Sequence, residues 1–304
     1  LPLLEKYLTD QMMTQINFNG KNRYKVKTVE VTYRKDSNGV CFGRIYLPEK
    51  QGPFPALIDV HGGAWSKGGY TDNEKIDWFL AEKGMAVFAI EFRKAPDYTY
   101  PAQVMDLNLA TRWLKLHARD YDIQPDCIGG LGTSSGGHTL LLSAMRPDDD
   151  RYNKLELKNA EGLDARLAYL IAAWPVIDPY GRFLFAKANK LYFLQDASLS
   201  YFLDETSMKE ANPLLMLERA ECLDLPPVLI IQGTADKNVP IATVDRFARA
   251  YNKAGGCVDI QWFKNMPHGF ACQSFPESDI ALDIIENFIA NCILPKHAPQ
   301  DLVP

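Results

Sequence analysis

The chain has 304 residues, 47% of them hydrophobic and 23% charged, which is enough material for a large buried core and ordinary for a globular α/β protein. The formal net charge of −5 and the absence of any basic tract argue against a nucleic-acid partner. No apolar run approaches the roughly 20 residues needed for a membrane span.

Residues 1–20 read as a short amphipathic helix ending near Asn19-Gly20, with Met12, Met13, Ile16 and Phe18 on its apolar face. Val26 to Tyr33 and Val40 to Leu47 alternate in polarity around Asp36-Ser37-Asn38-Gly39, a hairpin signal. Ala56 to Val60 is a short apolar strand running into His61-Gly62-Gly63-Ala64-Trp65. A helix around Asn73 to Lys83 precedes a second apolar strand within Met85 to Phe92. Ala102 to Arg119 has the apolar spacing of a long amphipathic helix, with Pro101 placed near its start.

The next stretch is the most informative. Ile128 to Leu131 is apolar, Gly132-Thr133-Ser134-Ser135-Gly136 fits G-x-S-x-G, and Thr139 to Met145 is a good helix former. A serine on such a strand-to-helix turn is lifted clear of the backbone. The helix behind it aims free N–H groups at any charge developing beside it. Asp148-Asp149-Asp150 reads as a solvated loop, and Leu167 to Trp174 as another strand. Residues 180–215 are rich in aromatics at helical spacing and read as a helical insertion. Val228 to Ile231 is a strand leading to Asp236, a helix covers about Ile241 to Lys253, and Val258 to Phe263 is the last strand, leading to Pro267-His268-Gly269-Phe270. Asp279 to Asn291 is the closing helix. This alternation predicts a mainly parallel sheet with helices on both faces and the site at the carboxyl ends of the strands.

A nucleophilic serine needs a base, an acid to orient the base, and donors for an oxyanion. Of the five histidines, His117 falls late in a helix, His138 in the turns after Ser134, His61 in a Gly-rich turn and His297 in a Pro-rich tail. Only His268 occupies a loop after the last strand, so it is the expected base. Asp236 is the expected acid, with helix capping as its competing role, and Asp178 is the alternative acid. The backbone amides of Gly63, Ala64 and Ser135 are the expected oxyanion donors, with Gly62 permitting the turn. The six cysteines (Cys41, Cys127, Cys222, Cys257, Cys272 and Cys292) form no C-x-x-C pair and read as reduced and structural, so the expected compartment is the cytoplasm. Leu1 to Lys6 lacks the form of an intact signal peptide.

These motifs together resemble the esterase/lipase branch of the α/β-hydrolase superfamily, near its hormone-sensitive-lipase-like and feruloyl-esterase-like groups. His61-Gly62-Gly63-Ala64-Trp65 is similar to the HGGG-type turn, with Ala64 in place of the third glycine. Glu91-Phe92-Arg93-Lys94-Ala95-Pro96, Tyr100-Pro101-Ala102 and Asp106 resemble the family's D-Y-R-L-A-P…F-P-A…D segment. Asp236-Lys237-Asn238-Val239-Pro240 and Pro267-His268-Gly269-Phe270 resemble its D-x-x-V-P and H-G-F contexts, and the order Ser134, Asp236, His268 is that of the family. The resemblance implies a single α/β-hydrolase domain over 1–304, with N-terminal antiparallel strands and cap elements at about 1–20 and 180–215. It implies hydrolysis of short-chain or aromatic carboxylic esters through an acyl-enzyme on Ser134, with neither metal nor cofactor. Aromatics of the 180–215 insertion (Tyr180, Phe183, Phe185, Tyr192, Phe193, Tyr201 and Phe202), with Trp65 and Trp174, are expected to line the substrate pocket, anchoring of the cap to the core being their competing role. Amide hydrolysis is the alternative activity, and a non-catalytic small-molecule binder a further one. A homodimer is compatible with the sequence.

Overall fold

The computed structural model describes residue 18, residues 21–36 and residues 39–293. The helix expected over 1–20 and the hairpin tip at 37–38 lie outside the described residues. Phe18 alone of that segment is described, and it is buried against the core.

Eight strands form one sheet in the order β1-β2-β4-β3-β5-β6-β7-β8. The hairpin of β1 (Val26–Asp36) and β2 (Gly39–Pro48) is antiparallel, and β2 also runs antiparallel to β4 (Ala86–Ile90). From β4 onward the pairing is parallel, through β3 (Phe54–Val60), β5 (Ile123–Thr133), β6 (Leu170–Ala173), β7 (Val228–Gly233) and β8 (Val258–Phe263). The polarity of each strand explains its place. In β3, β4, β6 and β7 every residue is buried, as a strand covered on both faces requires, whereas β1 and β8 at the edges keep exposed positions.

Helices α1 (Glu74–Glu82), α2 (Ala102–Leu116) and α3 (Ser135–Met145) follow β3, β4 and β5. Helix α2 is shorter than its periodicity predicts. His117 caps it, and a 3-10 turn at Ala118–Tyr121 leads to Asp122 at φ 53°. Four helices lie between β6 and β7: α4 (Pro179–Ala188), α5 (Tyr192–Phe202), α6 (Glu205–Glu210) and α7 (Pro213–Glu218). Helices α8 (Ala242–Lys253) and α9 (Pro276–Ile293) complete the described chain.

One face of the sheet packs on α2, α3 and α8 through Leu107, Leu114, Leu140, Val244 and Phe247. The other packs on α1 and α9 through Ile76, Leu80, Leu282, Ile285 and Ile289. A third cluster joins the inserted helices to the core, around Trp65, Phe183, Tyr201, Phe202 and Met208. The aspartate triplet is more than a solvated loop. Asp149 accepts from Arg151 at 2.6 Å, and Arg151 and Arg146 both reach Glu210 of α6, at 3.0 and 2.7 Å.

Two carboxyls are buried beneath α1. Asp59 accepts from Asn73 Nδ2 at 2.8 Å, while neither carboxylate oxygen of Asp77 has a partner among the described residues. Burial, and for Asp77 the neighbouring Asp59, push both upward, Asp59 to about 7. A carboxyl raised above its unfolded value of roughly 3.9 binds more protons folded than unfolded, so its contribution to stability is present at low pH and lost as pH rises through the folded value. Asp77→Leu is therefore expected to stabilise the fold at pH 8 by about 1–4 kcal/mol, and by less at pH 5. Thermal unfolding at the two pH values checks this; an equal or lower Tm at pH 8 would refute it.

Candidate active site

Parallel register brings the site together. Val60 pairs with Gly132, Thr133 with Ala173 and Gly233 with Phe263, so the turns after β3, β5, β7 and β8 all emerge at one edge of the sheet. Ser134 stands between β5 and α3 at φ 53° and ψ −117°, in the left-handed half of conformational space that a side chain rarely enters. The bend is held by Ser134 N donating to Ala173 O at 2.9 Å and Val176 N donating to Ser134 O at 3.0 Å. It is also tight. A Cβ on Gly132 would lie 2.7 Å from the Gly136 carbonyl oxygen, and one on Gly136 would run into the carbonyls of Val60 and His61. The glycines of G-x-S-x-G are therefore a packing requirement.

His268 Nε2 is 2.9 Å from Ser134 Oγ, and His268 Nδ1 is 2.8 Å from Asp236 Oδ2. The histidine loop is fixed by Ala235 N donating to Met266 O at 3.1 Å and Asn265 N donating to Thr234 Oγ1 at 2.8 Å. The Asp236 carboxylate is buried, and it accepts further bonds from Asn238 N (2.8 Å), Val239 N (3.1 Å) and Gln232 Nε2 (3.0 Å). Burial pushes its pKa up, but His268 and these donors outweigh it and hold the carboxyl below its ordinary value. An ionised carboxylate only accepts, so it keeps the imidazole proton on Nδ1 and leaves Nε2 free to take a proton from Ser134.

The turn after β3 carries three consecutive positive φ values, at Gly63 (114°), Ala64 (51°) and Trp65 (61°). Ser66 N and Lys67 N close it on Gly63 O, at 3.1 and 2.9 Å, and Trp65 N donates to Ser135 Oγ at 3.2 Å, tying it to the elbow. A Cβ on Gly63 would run into the Lys67 carbonyl, and one on Gly62 would lie 3.1 Å from Ser134 Cβ. The amides of Gly63, Ala64 and Ser135 donate to no acceptor among the described residues. Unpaired amides in such a turn and at a helix start form a concavity suited to an anion.

The competing histidines have other partners. His61 is buried, stacks on Phe92 and sits 3.9 Å from Glu91. His138 accepts from Trp65 Nε1 at 3.2 Å and donates to Ala211 O at 2.8 Å, and burial pushes it down to about 4, so it is neutral. His117 stacks on Trp113, and His297 lies outside the described residues. Asp178, the alternative acid, instead caps α4 through Gly181 N and accepts from Asn212 Nδ2, both at 2.7 Å. Asp106, in the segment after β4, is buried and holds Arg93 at 2.9 Å and Arg34 at 3.2 Å, a structural clamp.

A cleft of about 280 Å³ opens beside Ser134 and His268. Trp174 lines it, its ring 6.2 Å from that of His268. Trp65 does not, which corrects the expectation drawn from its motif. Its indole is 1% exposed and stacks on Tyr201 at 5.3 Å, because the positive φ at Trp65 turns it under the inserted helices. Phe193 of α5 lines the cleft, as expected for aromatics of the 180–215 insertion, whereas Arg182 of α4, Leu194 of α5, Lys67, Asn73 and Cys272 line it without having been singled out in the sequence. The one available signal was Arg182, the single charge within the aromatic-rich run Tyr180 to Phe185. Of the cysteines, Cys41 is buried, whereas Cys222 and Cys257 are exposed. Among the described residues no helix is long and apolar enough to cross a membrane.

The sheet order, the elbow after β5 and the turns around it define an α/β-hydrolase. A family model described as BD-FAE matches residues 44–251, and the chain belongs to that family. It is 26% identical to the probable carboxylic ester hydrolase LipM of Mycobacterium tuberculosis, over 83% of this chain and 58% of that one. It is 30% identical to the versiconal hemiacetal acetate esterase of Dothistroma septosporum, over 86% of this chain and 80% of that one. The chain spans about half the length of the first curated relatives it matches, 48–58%. Among solved structures, the butyrate-bound esterase Est2 of Thermogutta terrifontis superposes with a TM-score of 0.70 at 24% identity, over 90% of this chain and 96% of that one.

Proposed function

We propose that this chain hydrolyses carboxylic esters through an acyl-enzyme on Ser134. The observation that carries this reading is the continuous chain from Ser134 through His268 to Asp236, facing three unpaired amides across one cleft. His268 Nε2 takes the hydroxyl proton as Ser134 Oγ attacks the acyl carbonyl. The carbonyl oxygen becomes an oxyanion held by the amides of Gly63, Ala64 and Ser135. The imidazolium, stabilised by Asp236, returns the proton to the departing alkoxide, and water repeats the sequence on the acyl-enzyme. Residues 180–215 act as a cap over the cleft. The names of the relatives support ester hydrolysis, and a cleft of about 280 Å³, at the small end of ligand sites, supports short acyl groups or a single aromatic ring.

A series of p-nitrophenyl esters tests the reading, alongside matched anilides. Activity is expected to peak at short acyl chains and to fall at least tenfold beyond about eight carbons, the cleft being small for a longer chain. Faster cleavage of the anilides, or a maximum at long chains, would overturn it.

A further inference from the structure

Arg182 is the feature the ester-hydrolase reading leaves without a task. It is 2% exposed, on helix α4, and it lines the cleft that holds Ser134 and His268. Its guanidinium donates one hydrogen bond among the described residues, from Nη2 to Ser198 Oγ at 3.2 Å. Its Nε is buried without a partner. The guanidinium lies over the Trp65 ring at 4.7 Å, a contact that offsets only part of the cost of burying a cation. A buried arginine is ordinarily matched by a carboxylate, and among the described residues none pairs with it. Asp236 is the acid whose charge it feels, and the Asp236 oxygens are taken by His268, Gln232, Asn238 and Val239. Burial lowers Arg182 to about 10, which leaves it protonated at neutral pH.

The charges around it point the same way. The cleft is lined by two cations, Lys67 and Arg182, and by one unpaired acid, Asp72, which accepts from Gly69 N at the exposed rim. Lys67 Nζ sits over the Phe193 ring at 4.8 Å, so both cations rest on aromatic faces. A planar fork with unused donors, desolvated and opening on the cleft, matches the geometry of a carboxylate. We propose that Arg182 binds an ionised carboxylate carried by the substrate, so that the preferred esters are those bearing a second, anionic carboxylate group. This inference rests on the ester-hydrolase reading and names the substrate class for it.

The test compares two ester pairs. Monomethyl glutarate against methyl pentanoate places the anion on the acyl side; 3-acetoxypropanoate against propyl acetate places it on the alcohol side. In the native protein at least one anionic ester is expected to exceed its neutral partner in kcat/KM by roughly tenfold or more, the worth of a charge-assisted bond. Arg182→Met is expected to reduce that ratio by about 10–100-fold, and Arg182→Lys, which keeps a charge without the fork, by less. The pair that responds identifies the side. A ratio at or below one for both pairs, or a ratio unchanged in Arg182→Met, overturns the proposal and leaves Arg182 as a clip between α4 and α5. If Arg182→Met does not fold, Arg182→Lys decides, a native ratio counting against the site. Calorimetric binding of the same esters to Ser134→Ala reads the anion preference without turnover. Failure to hydrolyse either pair would thus sink the ester reading while the binding ratio still judged the anion site.

Discussion

Ser134→Ala is expected to lower kcat for p-nitrophenyl butyrate by on the order of 10⁵–10⁶-fold, the scale of losing a serine nucleophile. The change removes one oxygen, whose described partner is His268 Nε2 at 2.9 Å. The backbone bonds that hold the elbow, Ser134 N to Ala173 O and Val176 N to Ser134 O, do not involve the side chain. Alanine carries the same Cβ as serine at φ 53°, so it adds no strain beyond what the turn already bears. The melting temperature should therefore stay within a few degrees of the parent while activity collapses, the pattern of a chemical rather than a structural loss. An organophosphate should add its mass to the native protein and not to the variant. Hydrolysis persisting above about one part in a thousand of the native rate would exclude Ser134 as the nucleophile, since the residual catalysis that binding and oxyanion donors supply alone lies far below it.

Asp236→Asn is expected to cost about 10⁴-fold in kcat near neutral pH with the geometry retained. The carboxylate does not line the cleft. It accepts from His268 Nδ1, and through that bond it chooses the imidazole tautomer. An amide can offer an N–H at the same place. The imidazole then accepts at Nδ1 and carries its proton on Nε2, where it can no longer take the proton of Ser134. The stabilisation of the imidazolium is lost with the charge. Because His268 and the surrounding donors hold Asp236 below its ordinary pKa, it is ionised at neutral pH, and the effect is present in full there. Asp178→Asn supplies the contrast. Its Oδ1 caps α4 and holds Asn212, and an asparagine Oδ1 can accept both bonds, so the change should cost little stability and little kcat. Stopped assays on the two variants decide between the acids; a larger kcat loss for Asp178→Asn would reverse the assignment.

Much of this site can be read along the chain because its signals are local. An apolar run buried on both faces is a central strand wherever it occurs, and the Gly-rich or polar turn at its end marks the edge where a parallel sheet presents its loops. That logic picked Ser134, Asp236 and His268 from the order of the turns, and it picked the His61 to Trp65 turn from its glycines. Gly136 is an example of a residue whose identity already carries the geometry, since its missing Cβ is what lets α3 approach the carbonyls of Val60 and His61.

Other choices depend on contacts between distant segments, and no local pattern contains them. Asp178 and Asp236 both follow strands, yet only the register of β7 with β8 puts one of them against His268, while Asn212 and the start of α4 claim the other. Trp65 and Trp174 are equal candidates in the chain, but positive φ and the stack on Tyr201 turn Trp65 inward and leave Trp174 on the cleft. Arg182 reads as one cation among aromatics until the packing of α4 and α5 buries it without an acid beside the serine. The succession of strands, the serine turn and the residues able to serve it are legible along the chain, because propensity, polarity and glycine placement act over a few residues. Which acid meets the histidine, which tryptophan lines the cleft and where an unpaired charge is kept emerge only from the folded chain, because each follows from register and burial set by segments far apart in the sequence.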